Sequence, residues 1–430
     1  MSSGRKLVVI GAGPMGLATA YFAAKAGWQV EVLEAGDRAG GMAAHFDFNG
    51  LSLERFYHFC CRSDVDTEAL LDELGLPPIR WVPTKMGYFV DGALHPWGDP
   101  ISLLRFPGLS IVEKLRYGLL AFSSTKRSDW AKLDQISAAD WFRAWCGDKV
   151  YDKLWRPLFD LKFYEYAEQV SAAWVWQRIK RVGRSRRSLL QEELGYVEGG
   201  SEALITALVA AIEACGGVVR LSTPASKILT NGARCVGVEA ADGNRFEADQ
   251  VISTIAMPYV VGLLREHPDL AAPYARFDNV GCVCVVLQLA KPVSKNFWVN
   301  ISDPGVNTPG LVEFSNLRPL DRHIVYVPYY MPASNPSFGD ADEAFVASSF
   351  EAIRRVNPRL RQEDVIASHV ARLRHAQPVC DVGFAGRIPP AQTPIGGLQV
   401  ADTSFYYPED RGVSESIKFA REMVEALPDA

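Results

Sequence analysis

Residues 7 to 34 read LVVIGAGPMGLATAYFAAKAGWQVEVLE, a pattern that few folds accommodate. Leu7 to Ile10 is an unbroken apolar run, as a parallel strand covered on both faces requires. Gly11, Gly13 and Gly16 follow in G-x-G-x-x-G spacing. The first permits a tight turn, the second lets backbone approach a pyrophosphate, and the third lets a helix pack against the strand. Pro14 and Met15 open that helix, expected to reach Ala26, with Gly27 to stop it. Its N-terminus offers free N–H groups and the positive end of a dipole to an anion. Gln29 to Leu33 reads as the second strand, and Glu34 and Ala35 stand at its end. A carboxylate there accepts hydrogen bonds from ribose hydroxyls and repels a 2′-phosphate. The stretch is expected to bind a dinucleotide.

Which dinucleotide follows from EAGDRAGGMAAHF, where Arg38, Gly40 and Gly41 come just after Glu34. This segment resembles the second glycine motif of the FAD-dependent amine oxidase superfamily. That superfamily includes monoamine oxidases, protoporphyrinogen oxidases, phytoene desaturases and UDP-galactopyranose mutases. The resemblance implies that Arg38, Gly40 and Gly41 lie along the FAD pyrophosphate and ribityl chain. Met42 stands where the family usually carries another arginine. The other end, GGLQVADTSFYYPEDRGVSESIKFAREMVEAL, resembles the family's last FAD motif. By that resemblance Asp402 meets a ribityl hydroxyl, and a helix from Val413 directs its N-terminal amides at the flavin pyrimidine edge. Such a helix end raises the electron affinity of the flavin. FAD is therefore the expected cofactor, held noncovalently, because Cys60 and Cys61 match known covalent attachment motifs poorly.

With 430 residues the chain is too long for one simple core. The family's fold threads FAD segments around inserted substrate segments. The expected class is α/β: a Rossmann-like FAD-binding domain of the glutathione-reductase type with an inserted α+β substrate domain. Residues 1–84, 193–259 and 386–430 are assigned to the first, and residues 85–192 and 260–385 to the second. In the middle FAD portion a helix is expected from Ser201 to Ala214, then strands at Val218–Leu221, Cys235–Ala240, Arg245–Glu247 and Val251–Thr254. Ala225 falls where the family's backbone meets adenine. The first insert reads as largely helical. The second contains VGCVCVVLQL and HIVYVPYYM, whose alternation suggests strands of a substrate sheet. No second G-x-G-x-x-G exists for a nicotinamide cofactor.

A net charge of −5 gives no reason to expect nucleic acid as a partner. Eight cysteines without a C-x-x-C pair predict reduced thiols, and no His/Cys cluster has metal-ligand spacing. With the first strand so near the start, no leader is expected, and no apolar run is long enough to span a bilayer. The expected location is the cytoplasm.

Within GLSLERFYHFCCRSD, His58 is the candidate to contact flavin or substrate, against a bland reading as a core histidine. Glu54 and Arg55 suggest an ion pair. On the substrate sheet, Trp298, Asn300, Glu313, Asn316, Tyr326, Tyr329 and Tyr330 suggest an aromatic wall with a few polar groups, suited to a bulky, partly apolar ligand. RIKRVGRSRR carries six basic residues from Arg178 to Arg187. It reads either as a solvated face or as an anion site in which Arg184, Arg186 and Arg187 receive a charged substrate. ISLLRFPGLSIVEKLRYGLLAF reads either as a helical lid or as an interfacial membrane helix. The function expected is transfer of a hydride equivalent from a bulky small molecule to flavin N5, with reoxidation by dioxygen or another acceptor. Two alternatives stay open. One is a redox-neutral reaction of the UDP-galactopyranose mutase kind, although RFYHF lacks that branch's glycine–proline–histidine pattern. The other is noncatalytic isoprenoid binding, as in Rab GDP-dissociation inhibitors. Oligomeric state is not specified by these motifs.

Overall fold

The computed structural model describes residues 5–428. Its opening strand, Lys6–Ile10, is the centre of a five-stranded parallel sheet in the order Val218–Arg220, Gln29–Leu33, Lys6–Ile10, Gln250–Ser253, Leu398–Val400. The apolar run at 7–10 is buried on alternate sides. Leu7 and Val9 pack with the helix Pro14–Lys25, while Val8 and Ile10 face the other core. Both faces are covered, which explains why the strand carries no polar alternation. The helices Pro14–Lys25, Ser201–Ala214 and Val413–Glu425 pack together on one side. Ser201–Ala214 and Val413–Glu425 start where the glycine and serine punctuation places them. A three-stranded meander, Ala225–Asn231, Arg234–Ala240 and Arg245–Glu247, crosses at the Asp242–Gly243 turn.

The second large element is a seven-stranded sheet in the order Val365–Pro378, Asn279–Leu289, His323–Pro332, Gly310–Glu313, Trp298–Ile301, Met86–Val90, Ala93–Trp97. Its last two strands come from the start of the first insert, a hairpin that the helical reading of that insert missed. Met86–Val90 pairs in parallel with Trp298–Ile301, so residues from both inserts share one sheet. The helices Pro100–Arg105, Ile111–Lys126, Ala138–Cys146, Asp148–Leu154, Arg156–Phe163 and Ala172–Arg184 follow the hairpin. Side chains alternate along His323–Pro332. Val325, Val327, Tyr329 and Met331 pack under the helix Asp342–Val356, whereas Tyr326 and Tyr330 face the main core. Cys282 and Cys284 on Asn279–Leu289 lie on the same side as Tyr330, across the strand pair.

Candidate active site

The three glycines of the first turn have distinct roles. Gly11 has φ +98, which favours glycine, and a Cβ there would crowd Ile255 at 2.9 Å. A Cβ on Gly16 would collide with the carbonyl oxygen of Gly11 and lie 2.8 Å from Thr254 Oγ1, so this glycine sets the helix against the strand. Gly13 is different: a Cβ there would meet no atom within 4 Å. Open space lies in front of it, beside a helix whose N-terminus has no side-chain cap. Pro14 and Met15 are the first residues of that helix. Gly41 closes over the turn, its own Cβ position 3.2 Å from the Gly13 Cα, and the Gly40 N–H donates to the Ala12 carbonyl at 2.7 Å.

Glu34 braces the same turn. One carboxylate oxygen accepts the Ala12 N–H at 2.7 Å and the other the Gly36 N–H at 2.8 Å, with Ala35 in between. Arg38 lies nearby and donates to Asp47 at 2.7 Å. Ala225 begins the meander. Asp402 is buried and accepts the N–H groups of Met257 at 2.9 Å and Ser404 at 2.8 Å. Burial raises its carboxyl above the usual range, and those two N–H groups oppose the rise. Asp402 therefore ties the end of strand Leu398–Val400 to the helix Met257–Leu263.

Against the seven-stranded sheet, and reaching Met42 just after the second glycine turn, lies a cavity of about 930 Å³. Met42, His58, Ser201, Gly412 and Val413 line one side of it. The helix Val413–Glu425 presents an uncapped N-terminus there. Trp298, Asn300, Tyr330, Trp174, Trp155 and Phe163 give it a largely aromatic wall. The two glycine-rich turns, the uncapped helix starts and this adjoining chamber fit an extended dinucleotide whose ring system ends in the chamber. The buried His58 Nδ1 has no partner, and desolvation lowers the pKa of its imidazole, so the ring is neutral. Tyr57 beside it approaches Tyr330 at 3.5 Å between hydroxyls.

Several expectations from sequence need correction. Glu54 and Arg55 do not pair, because neighbouring residues at a strand end point to opposite sides. Glu54 is buried against His45 at 3.5 Å and Arg318 at 3.8 Å, while Arg55 faces Asp37 at 3.8 Å. Glu313 does not reach the chamber. It accepts the N–H groups of Val293 and Ser294 at 3.0 and 2.8 Å, and burial pushes its carboxyl up to about 7. Tyr326 lies behind the wall, its hydroxyl donating to the Glu54 carbonyl at 2.8 Å. Tyr329 is on the far face, hydrogen-bonded to Ser348 and Ser349. Asn316 donates to the Ser294 and Asn296 carbonyls and holds the same loop as Glu313. Arg187 is exposed and outside the chamber.

The basic run divides by helical position. Arg178 and Arg181 turn inward on Ala172–Arg184: Arg178 bonds Asp410 at 2.6 Å, and Arg181 bonds Asp64 at 2.7 Å. Arg184 and Arg186 stay at the mouth and donate to the carbonyls of Thr125 and Gly98, both at 2.9 Å. Residues that sequence reasoning missed include Lys162, Asp410 and Arg411, which stand with Arg178 of the basic run on the inner wall. The signal for the last two was the DRG triplet just before Val413.

Residues 16–403 match the model of the flavin containing amine oxidoreductase family. Protoporphyrinogen oxidase 2 of Arabidopsis thaliana is 31% identical over 163 residues, covering 36% of this chain and 32% of that protein. Phytoene desaturase of Cercospora nicotianae is 26% identical over 303 residues, covering 62% of this chain and 47% of that protein. These alignments thus span a third to a half of the curated relatives. Among solved structures, an oxidoreductase from Methanosarcina mazei superposes with a TM-score of 0.73 at 21% identity, covering 98% of this chain and 100% of that one. Reduced UDP-galactopyranose mutase superposes with a TM-score of 0.74 at 16% identity, covering 98% and 93%. Both likenesses speak to the fold. The paired glycine turns, the helix starts that flank the chamber and the family match over most of the sequence lead to one conclusion: the chain belongs to the flavin containing amine oxidoreductase family.

Proposed function

We propose that the protein binds FAD noncovalently across the two glycine turns and oxidises a bulky, largely apolar substrate held in the aromatic chamber. The observation that carries this reading is the chamber itself, about 930 Å³ between the start of Val413–Glu425 and the wall of Trp298, Trp174 and Tyr330. When bound, FAD accepts a hydride equivalent at N5 and passes it to dioxygen or another acceptor. The chain's own part is orientation and exclusion of water. Gly13 leaves the pyrophosphate path open, Glu34 faces the ribose, and neutral His58 offers an unpartnered nitrogen to the ring or the substrate. Burial holds the Cys60 thiol far above its ordinary pKa and pushes Cys61 up to about 12. Protonated thiols are poor nucleophiles, which supports noncovalent attachment.

The mouth supports an apolar substrate taken from a lipid surface. Ile111, Val112, Leu115, Leu119 and Phe122 on the helix Ile111–Lys126 are each 57–60% exposed, and Leu189 is 75% exposed. Phe122, Ala121 and Leu189 also line the chamber, so the entrance opens at this apolar face. Arg105 and Lys126 flank it with positive charge. A partly apolar, basic-flanked helix face of this kind lies in a membrane interface. No helix among the described residues is long and apolar enough to cross a membrane.

The test is anaerobic bleaching of the flavin by candidate substrates: amines, polyenes with and without polar heads, and nucleotide sugars. Bleaching by an apolar-bodied compound supports the proposal. A colourless protein that binds no added FAD refutes it. Turnover of a nucleotide sugar only after prior flavin reduction favours the mutase-like alternative.

A further inference from the structure

The inner wall of the chamber carries a charge cluster that hydride transfer does not use. Lys162, near the end of the helix Arg156–Phe163, places Nζ 4.7 Å from the Tyr330 ring centroid, 5.1 Å from Trp174 and 5.6 Å from Phe163. Among the described residues it has no hydrogen-bond or carboxylate partner at contact distance. Arg178 lies over Trp174, its guanidinium carbon 3.1 Å from the ring centroid. It donates to Asp410 at 2.6 Å and Gln377 at 3.3 Å, yet its buried Nη1 has no partner. Arg411 donates to the Ala376 carbonyl at 2.5 Å and lies 5.9 Å from the Tyr330 centroid. Lys162, Arg178, Asp410 and Arg411 all line the chamber.

Three basic side chains thus face one carboxylate on a half-buried wall. Burial, with Arg178 and Arg411 nearby, holds the Lys162 ammonium well below its ordinary pKa, and burial pushes Arg178 down to about 10. Basic groups withdrawn from water are costly to keep charged unless an anion completes them. Arg184 and Arg186 at the mouth have no comparable need, because backbone carbonyls already accept from them.

We infer that Lys162, Arg178 and Arg411 form an oxyanion subsite that receives a carboxylate or phosphate carried by the substrate, whose apolar body then lies along Trp174, Tyr330 and Trp298. The inference rests on the reading of this chamber as the substrate site. It moves the charged end of the substrate from the mouth to the inner wall, beside Gly412 and Val413. It also sets the polarity of entry, charged group first and apolar tail toward the exposed helix.

The test is calorimetric titration of the FAD-loaded protein with benzoate, phenyl phosphate and benzylamine, which share one ring and differ in charge. Wild type is expected to bind at least one of the two anions on the order of tenfold more tightly than benzylamine. Benzoate and phenyl phosphate together show whether the group is a carboxylate or a phosphate. Lys162→Met should weaken the anion by about tenfold or more, and Lys162→Arg should restore part of it. The thermal midpoint of ligand-free Lys162→Met should not fall, since the change removes an ammonium that has no carboxylate partner at contact distance. Benzylamine binding as tightly as the anions, or anion binding unchanged in Lys162→Met, overturns the subsite. So does binding of neither anion, including the case in which Lys162→Met instead loses FAD. Flavin released from the same samples is measured separately, so a protein without FAD counts against the function while calorimetry still reads the subsite.

Discussion

Replacing Gly13 by alanine separates cofactor binding from folding. Gly13 has φ −71 and ψ 175, a conformation open to any L-residue, and its Cβ would meet no atom of the protein. In the flavin-free protein the change should therefore stabilise by about 0.4–1 kcal/mol, through a less flexible unfolded chain. With FAD the added methyl stands in the pyrophosphate path. Overpacking of that size costs about 1–3 kcal/mol, which at 1.4 kcal/mol per decade is roughly a 5- to 150-fold loss of FAD affinity. Gly16→Ala provides the contrast, because its Cβ collides with the Gly11 backbone and the cost, about 3 kcal/mol, falls on the fold itself. Deflavinated samples are followed by calorimetric melting, and FAD affinity by quenching of flavin fluorescence. The reasoning fails if Gly13→Ala binds FAD as tightly as wild type, or if it melts several degrees lower without cofactor.

Other outcomes follow from the same geometry. Tyr326→Phe removes a buried hydrogen bond to the Glu54 carbonyl and should cost about 1–3 kcal/mol in chemical denaturation, with substrate KM unchanged. Arg181→Met strands the buried Asp64 carboxylate and should cost about 3–5 kcal/mol, read by the same denaturation curves. The His58 imidazole is held neutral by burial, so the unfolded chain binds a proton more readily. Stability from this residue is present above its ordinary value near 6.5 and is lost as pH falls below it; His58→Phe should flatten the melting temperature between pH 7 and 5. Leu115→Glu with Leu119→Glu should abolish co-sedimentation with anionic vesicles and leave FAD content unchanged; equal sedimentation would remove the lipid-surface reading.

The dinucleotide fold was legible because its constraints are local. Gly11, Gly13, Gly16 and Glu34 lie within one turn-and-strand unit; Gly11 and Gly16 meet backbone requirements that other residue types meet poorly, and Gly13 keeps the space before the helix start open. Val413 as a helix start was equally local, set by Gly412 before it and apolar periodicity after it. The chamber was only partly legible. Trp298 and Asn300 reach it, but Glu313, Tyr326 and Tyr329 do not, because a nearly continuous apolar strand such as His323–Pro332 hides which face is which. The Met86–Val90 and Ala93–Trp97 hairpin was missed because its pairing partner, Trp298–Ile301, lies some two hundred residues away. Lys162 gave no local sign at all. Its position matters only once two other segments bring Arg178, Asp410 and Arg411 beside it.

The order of the parallel sheet has a consequence for synthesis on the ribosome. Lys6–Ile10 pairs with Gln250–Ser253, which in turn pairs with Leu398–Val400. The nucleotide cradle made from the first forty residues thus waits for strands made near the middle and the end of translation. A chain growing at 5–20 residues per second spends tens of seconds with a bare sheet edge and an exposed apolar face. Chaperone occupancy in that interval, and its shortening by FAD supplied to the nascent chain, would be measurable by ribosome-arrested intermediates ending before and after Val400.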